Sequence, residues 1–277
     1  MNSLLLEVVN SAIRAGKAIL EIYNSDDFQI TEKADNSPLT KADIESNKII
    51  NETLLKFDYP IISEENKQTE YSTRKNWQNF WLVDPLDGTK EFIKKRGNFT
   101  VNIAFIKDKK PIKGIIYIPV KKTLYFSSEE IGAFKIENVE DEFSSFEKLI
   151  HSAQKLENFS KDSKLRVIAS QSHFDENTEA FIDKLKANFG NVELLNIGSS
   201  LKLAWLAENK ADIYPRFGPT MEWDIAAGHA ILAASGGSLI NLQTKKEFSY
   251  NKENLLNGKF LALNSLYTDK KDILTAL

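Results

Sequence analysis

Apolar side chains recur at Leu5, Val8, Val9, Ala12, Ala15, Ile19 and Ile22, and this helical stripe predicts a helix over residues 3–24 with Lys17 and Glu21 on its other side. A polar stretch, 24–38, follows, and 28–31 within it reads as a strand. Thr40 opens a second predicted helix whose inner face is Ile44, Ile50, Leu54 and Phe57, and Pro60 closes it. Residues 60–63 and 77–83 read as short buried strands. Across 98–106, Phe99, Val101, Ile103 and Phe105 alternate with Thr100, Asn102 and Ala104, the period of two that marks a strand. Segments 112–120, 123–127 and 132–136 continue the series across short turns, which predicts an antiparallel meander.

The pattern changes across the acidic, polar segment 137–164. Beyond it, predicted strands (165–170, 192–197, 211–214, 238–242, 259–263) alternate with predicted helices (175–189, 199–208, 223–235). The expectation is an α+β domain over 1–158, with an antiparallel sheet carrying most of the candidate chemistry, followed by an α/β domain over 159–277. No internal repeat or low-complexity tract interrupts either half.

Composition narrows the chemistry. Lys and Arg number 36 against 39 Asp and Glu, a net charge of −3, which offers no global field for a polyanion and argues against nucleic acid as a partner. There is no cysteine, so disulfides, thiolate metal sites and cysteine nucleophiles are excluded, and three histidines make a His-rich metal site improbable. A metal here would need oxygen ligands, which points to Mg²⁺, Mn²⁺ or Ca²⁺. No run approaches the roughly 18 apolar residues of a transmembrane segment. The N-terminus does not read as a signal peptide, so the expected location is cytoplasmic, with peripheral association at the inner face of the cell membrane left open.

Three acidic clusters fall at predicted strand or helix ends: Ser63-Glu64-Glu65, Asp84-Pro85-Leu86-Asp87-Gly88-Thr89, and Trp223-Asp224. Pro85 fixes φ and removes a donor, so the chain bends and both Asp84 and Asp87 can face one point, with the Leu86 carbonyl as a third oxygen. Gly88 permits close backbone approach to a ligand, and Lys90-Glu91 begin a turn or helix whose free N–H groups suit phosphate oxygens. The plain alternatives stand beside these readings. Asp84 and Asp87 fit a helix-capping turn, Glu64 and Glu65 a solvated pair, Asp224 a first-turn acid, and Thr40 with Asp43 the spacing of a capping box.

Taken together, Trp81-Leu82-Val83-Asp84-Pro85-Leu86-Asp87-Gly88-Thr89 and Trp223-Asp224-Ile225-Ala226-Ala227-Gly228, with Ser63-Glu64-Glu65 upstream, resemble the inositol monophosphatase superfamily of Mg²⁺-dependent, lithium-sensitive phosphatases. Lys90-Glu91-Phe92 after the Gly-Thr pair, Gly97-Asn98-Phe99-Thr100-Val101-Asn102-Ile103 and Tyr214-Pro215-Arg216-Phe217-Gly218-Pro219-Thr220 are similar to its bacterial 3′(2′),5′-bisphosphate nucleotidase branch. Ser170-Gln171-Ser172-His173 departs from that branch by lacking an Arg.

The resemblance implies a layered αβαβα sandwich and a concrete site. Glu64, Asp84 and the Leu86 carbonyl would hold one Mg²⁺, and Asp84, Asp87 and Asp224 a second. Thr89, paired with Glu64, would orient the attacking water. Asp43 and Glu65 would stand behind these ligands or near a third metal. Gly88 and Thr89 would contact the phosphate, and Leu86, Asp87 and Asp224 would also be among the substrate-binding residues. His173, Ser199, Lys202 and Arg216 match positions that hold the adenosine and its other phosphate. The plain alternatives are a satisfied loop role for His173, a solvated Lys202 and an Arg216–Glu222 surface pair. The implied reaction removes the 3′-phosphate of adenosine 3′,5′-bisphosphate, and of 3′-phosphoadenylyl sulfate, in sulfur assimilation, with Li⁺ inhibitory. An inositol monophosphatase or other small sugar-phosphate phosphatase is the alternative. The partners implied are a small-molecule nucleotide substrate and a second copy of the chain in a homodimer.

Overall fold

The computed structural model describes residues 2–25, 27–33, 37–157, 159–161, 163–169, 176–196, 201–268 and 273. Helix α1 (Asn2–Ser25) leads into a hairpin of β1 (Thr31–Glu32) and β2 (Pro38–Leu39), then α2 (Lys41–Leu54) and a 3-10 turn (Leu55–Phe57). Strand β3 (Ile61–Ser63), α3 (Tyr71–Arg74), β4 (Asn79–Asp87) and α4 (Thr89–Ile93) follow. The meander is β5 (Thr100–Lys107), β6 (Lys110–Ile118), β7 (Thr123–Ser128) and β8 (Gly132–Ile136), after which come α5 (Phe146–His151) and β9 (Gln154–Lys155). The remainder comprises β10 (Leu165–Ile168), α6 (Glu176–Phe189), β11 (Val192–Leu195), α7 (Leu201–Ala207) and β12 (Ile213–Arg216). The last elements are α8 (Glu222–Ala234), β13 (Ser238–Asn241), β14 (Lys246–Glu247) and β15 (Phe260–Leu263).

A seven-stranded sheet runs β3-β4-β5-β6-β7-β8-β9 and a six-stranded sheet runs β11-β10-β12-β15-β13-β14. Neither is of one kind. The expected antiparallel sheet begins with a parallel pair, β3 with β4, because the connection through α3 is long enough to return the chain to the same edge. In the second sheet β10 pairs parallel with β11 and β12, whereas β15 runs antiparallel to β12 and β13.

Period-two strands bury both faces, and this builds the layers. Trp81, Val83, Val101, Ile103, Ile115 and Leu124 meet α1 and α2 on one face of the first sheet. Phe80, Leu82, Ala104, Ile106 and Ile116, on the other, meet α7 and α8, which also cover Ile168, Tyr214, Phe260 and Ala262 of the second sheet. The far face of the second sheet packs Val167, Ile213 and Leu261 against Phe181, Ile182 and Leu185 of α6. The order helix, sheet, helix, sheet, helix is the αβαβα sandwich. Among the described residues, no helix is long and apolar enough to cross a membrane.

Glycine sets the middle layer. A Cβ on Gly114 of β6 would stand 2.3 Å from the Ala227 carbonyl oxygen and 2.8 Å from Ala230 Cβ, so only glycine lets α8 lie this close to the sheet.

Some expectations shift. Ile44 is 52 % exposed; six residues from Ile50, it lies well round the helix, and α2 instead buries Ala42, Ser46, Ile50, Thr53 and Leu54. The strand expected at 28–31 is the short Thr31–Glu32 pairing with Pro38–Leu39. Segment 137–164 holds α5 and adds β9 to the first sheet. Glu222 is buried against Lys252 and does not pair with Arg216.

Candidate active site

The three acidic clusters meet at one edge of the middle layer, and strand geometry explains how. Ser63 is in register with Val83 across the parallel β3–β4 pair, and the Glu64 N–H donates to Val83 O (3.1 Å), so Glu64 lies beside Asp84. Asp84 shares parity with Phe80 and Leu82 and therefore faces the α7–α8 layer. Asp84 stands opposite Asn102 and Asp87 opposite Thr100, so three steps on β4 match two on β5. This bulge at Pro85-Leu86 puts Asp87 on the same face as Asp84, where a regular strand would turn it away. From the opposite side, α8 delivers Asp224, whose carboxylate accepts from the Met221 N–H (2.8 Å).

Carboxylate oxygens of Glu64, Asp84 and Asp224 all lie within 4.8 Å of one another. Asp87 faces the same space outside that group of three. Asp84 is only 1 % exposed, and the Leu86 N–H donates to its Oδ1 (3.1 Å). Burial first, and then Glu64, Asp87 and Asp224, push its carboxyl well above the usual range. Burial and Asp87 push Asp224 up to about 8. Glu64 is raised by burial against the pull of Lys33, and Glu65 in the same way to about 7. Acids drawn from three elements into a buried space, every donor a hard oxygen and the local charge strongly negative, fit a divalent cation such as Mg²⁺.

The surrounding bonds hold this arrangement. Ser46 Oγ donates to Pro85 O (2.7 Å) and fixes the bulge to α2, while the Leu86 side chain anchors in the α1–α2 core. Ser63 Oγ donates to Asn47 Oδ1 (2.7 Å), and Asn47 and Asn51 both donate to Asn66 Oδ1 (2.9 and 3.1 Å), which ties the turn carrying Glu64 and Glu65 to the same helix. Gly88 adopts φ +96°, a left-handed conformation that starts α4, and a Cβ there would meet Asn98 O at 2.9 Å.

Thr89 corrects one expectation. Its hydroxyl lies 3.2 Å from Asp43 Oδ1 and 3.3 Å from Leu86 O, and its partner is thus Asp43 in place of Glu64. The cause is the capping box at the start of α2. The Thr40 N–H (2.8 Å) and hydroxyl (2.5 Å) both donate to Asp43 Oδ2, which turns Oδ1 toward Thr89. Asp43 is therefore at once the cap of α2 and a hydrogen-bond partner of Thr89. Burial raises its carboxyl, with Thr40, Lys33 and Thr89 opposing.

Lys33, beside β1, joins the acids. Its ammonium bonds Glu64 (2.6 Å) and Glu65 (2.5 Å); burial alone would lower its pKa, but the two carboxylates hold it above the ordinary value. Nothing in the sequence separates it from the chain's other lysines. Only the convergence of buried acids creates the demand for a cation that it meets.

A second, cationic group borders the acids. Lys202 on α7 and Arg216 at the end of β12 are both buried. Burial and the like charge of Arg216 bring Lys202 down to about 8, with Asp87, Glu91 and Asp224 pulling the other way. Lys202 sits over the Tyr214 ring at 5.5 Å, Arg216 Nη2 donates to Pro219 O (2.9 Å), and the buried Arg216 Nε has no hydrogen-bond partner among the described residues. His173 and Ser199 lie outside the described residues.

A model of the inositol monophosphatase family matches residues 1–273. The 3′(2′),5′-bisphosphate nucleotidase CysQ of Escherichia coli (strain K12) is 39 % identical over 263 residues, which is 92 % of this chain and 97 % of that protein. The crystal structure of CysQ from Bacteroides thetaiotaomicron, a bacterial member of the inositol monophosphatase family, matches with a TM-score of 0.87 at 43 % identity, covering 96 % of this chain and 98 % of that one. An IMPase from Thermotoga maritima shares the fold, with a TM-score of 0.69 at 19 % identity over 97 % and 95 % of the two chains.

Proposed function

This chain belongs to the inositol monophosphatase family, and from that membership we propose that it is a Mg²⁺-dependent 3′(2′),5′-bisphosphate nucleotidase, which hydrolyses the 3′-phosphate of adenosine 3′,5′-bisphosphate to give AMP and phosphate. The observation that carries the reading is the juxtaposition of an acid group closed within 4.8 Å with the buried Lys202–Arg216 pair. A molecule with one phosphate at the acids and another anionic group at the cations satisfies both. In particular, it supplies an acceptor for the unpartnered Arg216 Nε.

Glu64, Asp84 and the Leu86 carbonyl would hold one Mg²⁺, and Asp84, Asp87 and Asp224 another. Bound there, Mg²⁺ would neutralise the phosphate's developing charge and lower the pKa of an attacking water. The chain's own residues do the rest. The Thr89 hydroxyl proton is shared between Asp43 Oδ1 and the Leu86 carbonyl, so its oxygen lone pairs are free to accept from a water and orient it for in-line attack. Asp43 Oδ1 stands one bond further on to take up the proton. Lys202 and Arg216 fix the second phosphate and with it the sugar's orientation. Displacement by water is direct, without a covalent intermediate on the protein.

The reading extends to 3′-phosphoadenylyl sulfate, and so to sulfur assimilation, because that compound presents the same 3′-phosphate and a further anionic group on the 5′ side. Phosphate release from adenosine 3′,5′-bisphosphate should exceed that from inositol 1-phosphate by orders of magnitude in saturating MgCl₂; equal rates or the reverse order would reject the substrate. LiCl should inhibit turnover where the same concentration of NaCl does not, and coincident curves would refute lithium sensitivity.

A further inference from the structure

Two of the segments that deliver acids to the candidate centre are joined, away from it, by a buried polar network. Arg74, at the end of α3 in the connection that follows Glu64, is buried. Its guanidinium donates to Asn251 Oδ1 (2.8 Å) and to the carbonyls of Lys252 (2.6 Å), Glu253 (2.7 Å) and Thr69 (3.2 Å). In return, Asn251 Nδ2 donates to the Arg74 carbonyl (2.6 Å). Asn251 carries the linkage onward. Its N–H donates to Glu222 Oε2 (2.7 Å), and the N–H and Nζ of Lys252 donate to Glu222 Oε1 (3.0 and 2.5 Å). Glu222 is fully buried in the first turn of α8, two residues before Asp224.

Stability alone is a poor reason for such a network, since a buried ion network often contributes no more than apolar packing of similar volume. Register is a better one. Helix α8 is sandwiched between two sheets through Ile225, Ala226, Ala227, Ala230 and Ile231, small and apolar nearly all round. The Gly114–Ala227 contact sets how closely it lies on β6, but smooth surfaces resist rotation and axial sliding weakly. The directional bonds at its first turn resist both. Asn251 makes them at φ +65°, in the left-handed region that asparagine adopts more readily than other non-glycine residues.

We infer that Arg74, Asn251 and Glu222 are positioning residues, which lock the start of α8 to the β3–β4 connection and so hold Asp224 against Glu64 and Asp84. The inference rests on the reading of those acids as a divalent-cation centre. Mn²⁺ suits the same hard-oxygen ligands, and its binding to the full chain is followed directly by loss of the free-ion EPR signal, with no turnover involved. Glu222→Gln and Arg74→Lys should each weaken Mn²⁺ binding by about tenfold, as loss of partners that orient metal ligands does elsewhere. Asp212→Asn is the control. It weakens the buried Arg166–Asp212 pair in the second sheet and should lower the melting temperature while leaving Mn²⁺ affinity unchanged. Wild-type affinity in both Glu222→Gln and Arg74→Lys, with a lowered melting temperature, would reduce the network to stability and overturn the inference while the centre stands. Absence of Mn²⁺ binding in the wild type would remove the centre itself, and the inference with it.

Discussion

The Thr89 hydroxyl lies 3.2 Å from Asp43 Oδ1, and the other oxygen of the same carboxylate closes the capping box of α2. One side chain thus starts a helix and orients the residue proposed to hold the attacking water. Thr89→Val should lower kcat by about 100-fold or more, the range of a lost acid–base contact, while Thr89→Ser keeps most of it. Asp43→Asn should show a comparable kcat loss with little change in stability, because the amide oxygen still accepts from the Thr40 N–H and a buried charge is removed. Steady-state phosphate release and urea unfolding measure the two effects separately.

Asp84 separates stability from function in the opposite direction. It is buried among like charges, so Asp84→Asn should leave the metal-free protein as stable as the wild type or more so, while abolishing turnover and the Mg²⁺-induced rise in melting temperature. The pH dependence carries the same signature. Asp224 is raised to about 8 and Glu65 to about 7, both above their unfolded values. The folded metal-free protein therefore binds more protons than the unfolded chain, and this contribution is lost as pH rises from about 4 towards 8. Calorimetry should show the Mg²⁺-induced stabilisation growing across that range, with proton release on binding.

His229 has the reverse sign. Burial pushes it down to about 4, and its Nδ1 stands 2.9 Å from Tyr250 Oη. The unfolded chain takes up a proton near pH 6.5 that the folded protein refuses, so this contribution is complete above about pH 6.5 and lost as pH falls towards 4. Between pH 7 and 4 the wild type should lose about 3 kcal/mol more than His229→Gln, read from urea unfolding at each pH.

At the cationic side, Arg216→Met should raise KM for adenosine 3′,5′-bisphosphate about tenfold more than KM for adenosine 3′-monophosphate, because the arginine is proposed to hold the phosphate that the second compound lacks. Equal changes for the two substrates would place Arg216 outside the second-phosphate contact.

The parts legible in the sequence were those encoded locally. The Thr40–Asp43 spacing announces its cap, the alternation from Phe99 to Phe105 announces its strand, and Asp84-Pro85-Leu86-Asp87 announces a bend with two acids. The parts that were not legible depend on contacts across the chain. The Ile44 position looks apolar enough for a core, but helix phase turns it outward. Lys33 becomes distinctive only once Glu64 and Glu65 stand beside it, and Thr89 could be assigned to Asp43 only after α2 was set against β4. Arg74 sits in a segment without a motif; Glu222 adjoins the Trp223-Asp224 motif, but the partners of both, Asn251 and Lys252, lie in a loop that periodicity does not describe.

Glu64, Asp84 and Asp224, brought from the turn after β3, from β4 and from α8, are proposed to form one cation-binding centre. Crystals grown with MnCl₂ and measured at the manganese absorption edge test it most directly. An anomalous peak is expected between those three carboxylates, absent in Asp84→Asn. A well-ordered site without a peak there, or manganese bound only elsewhere on the molecule, would contradict it.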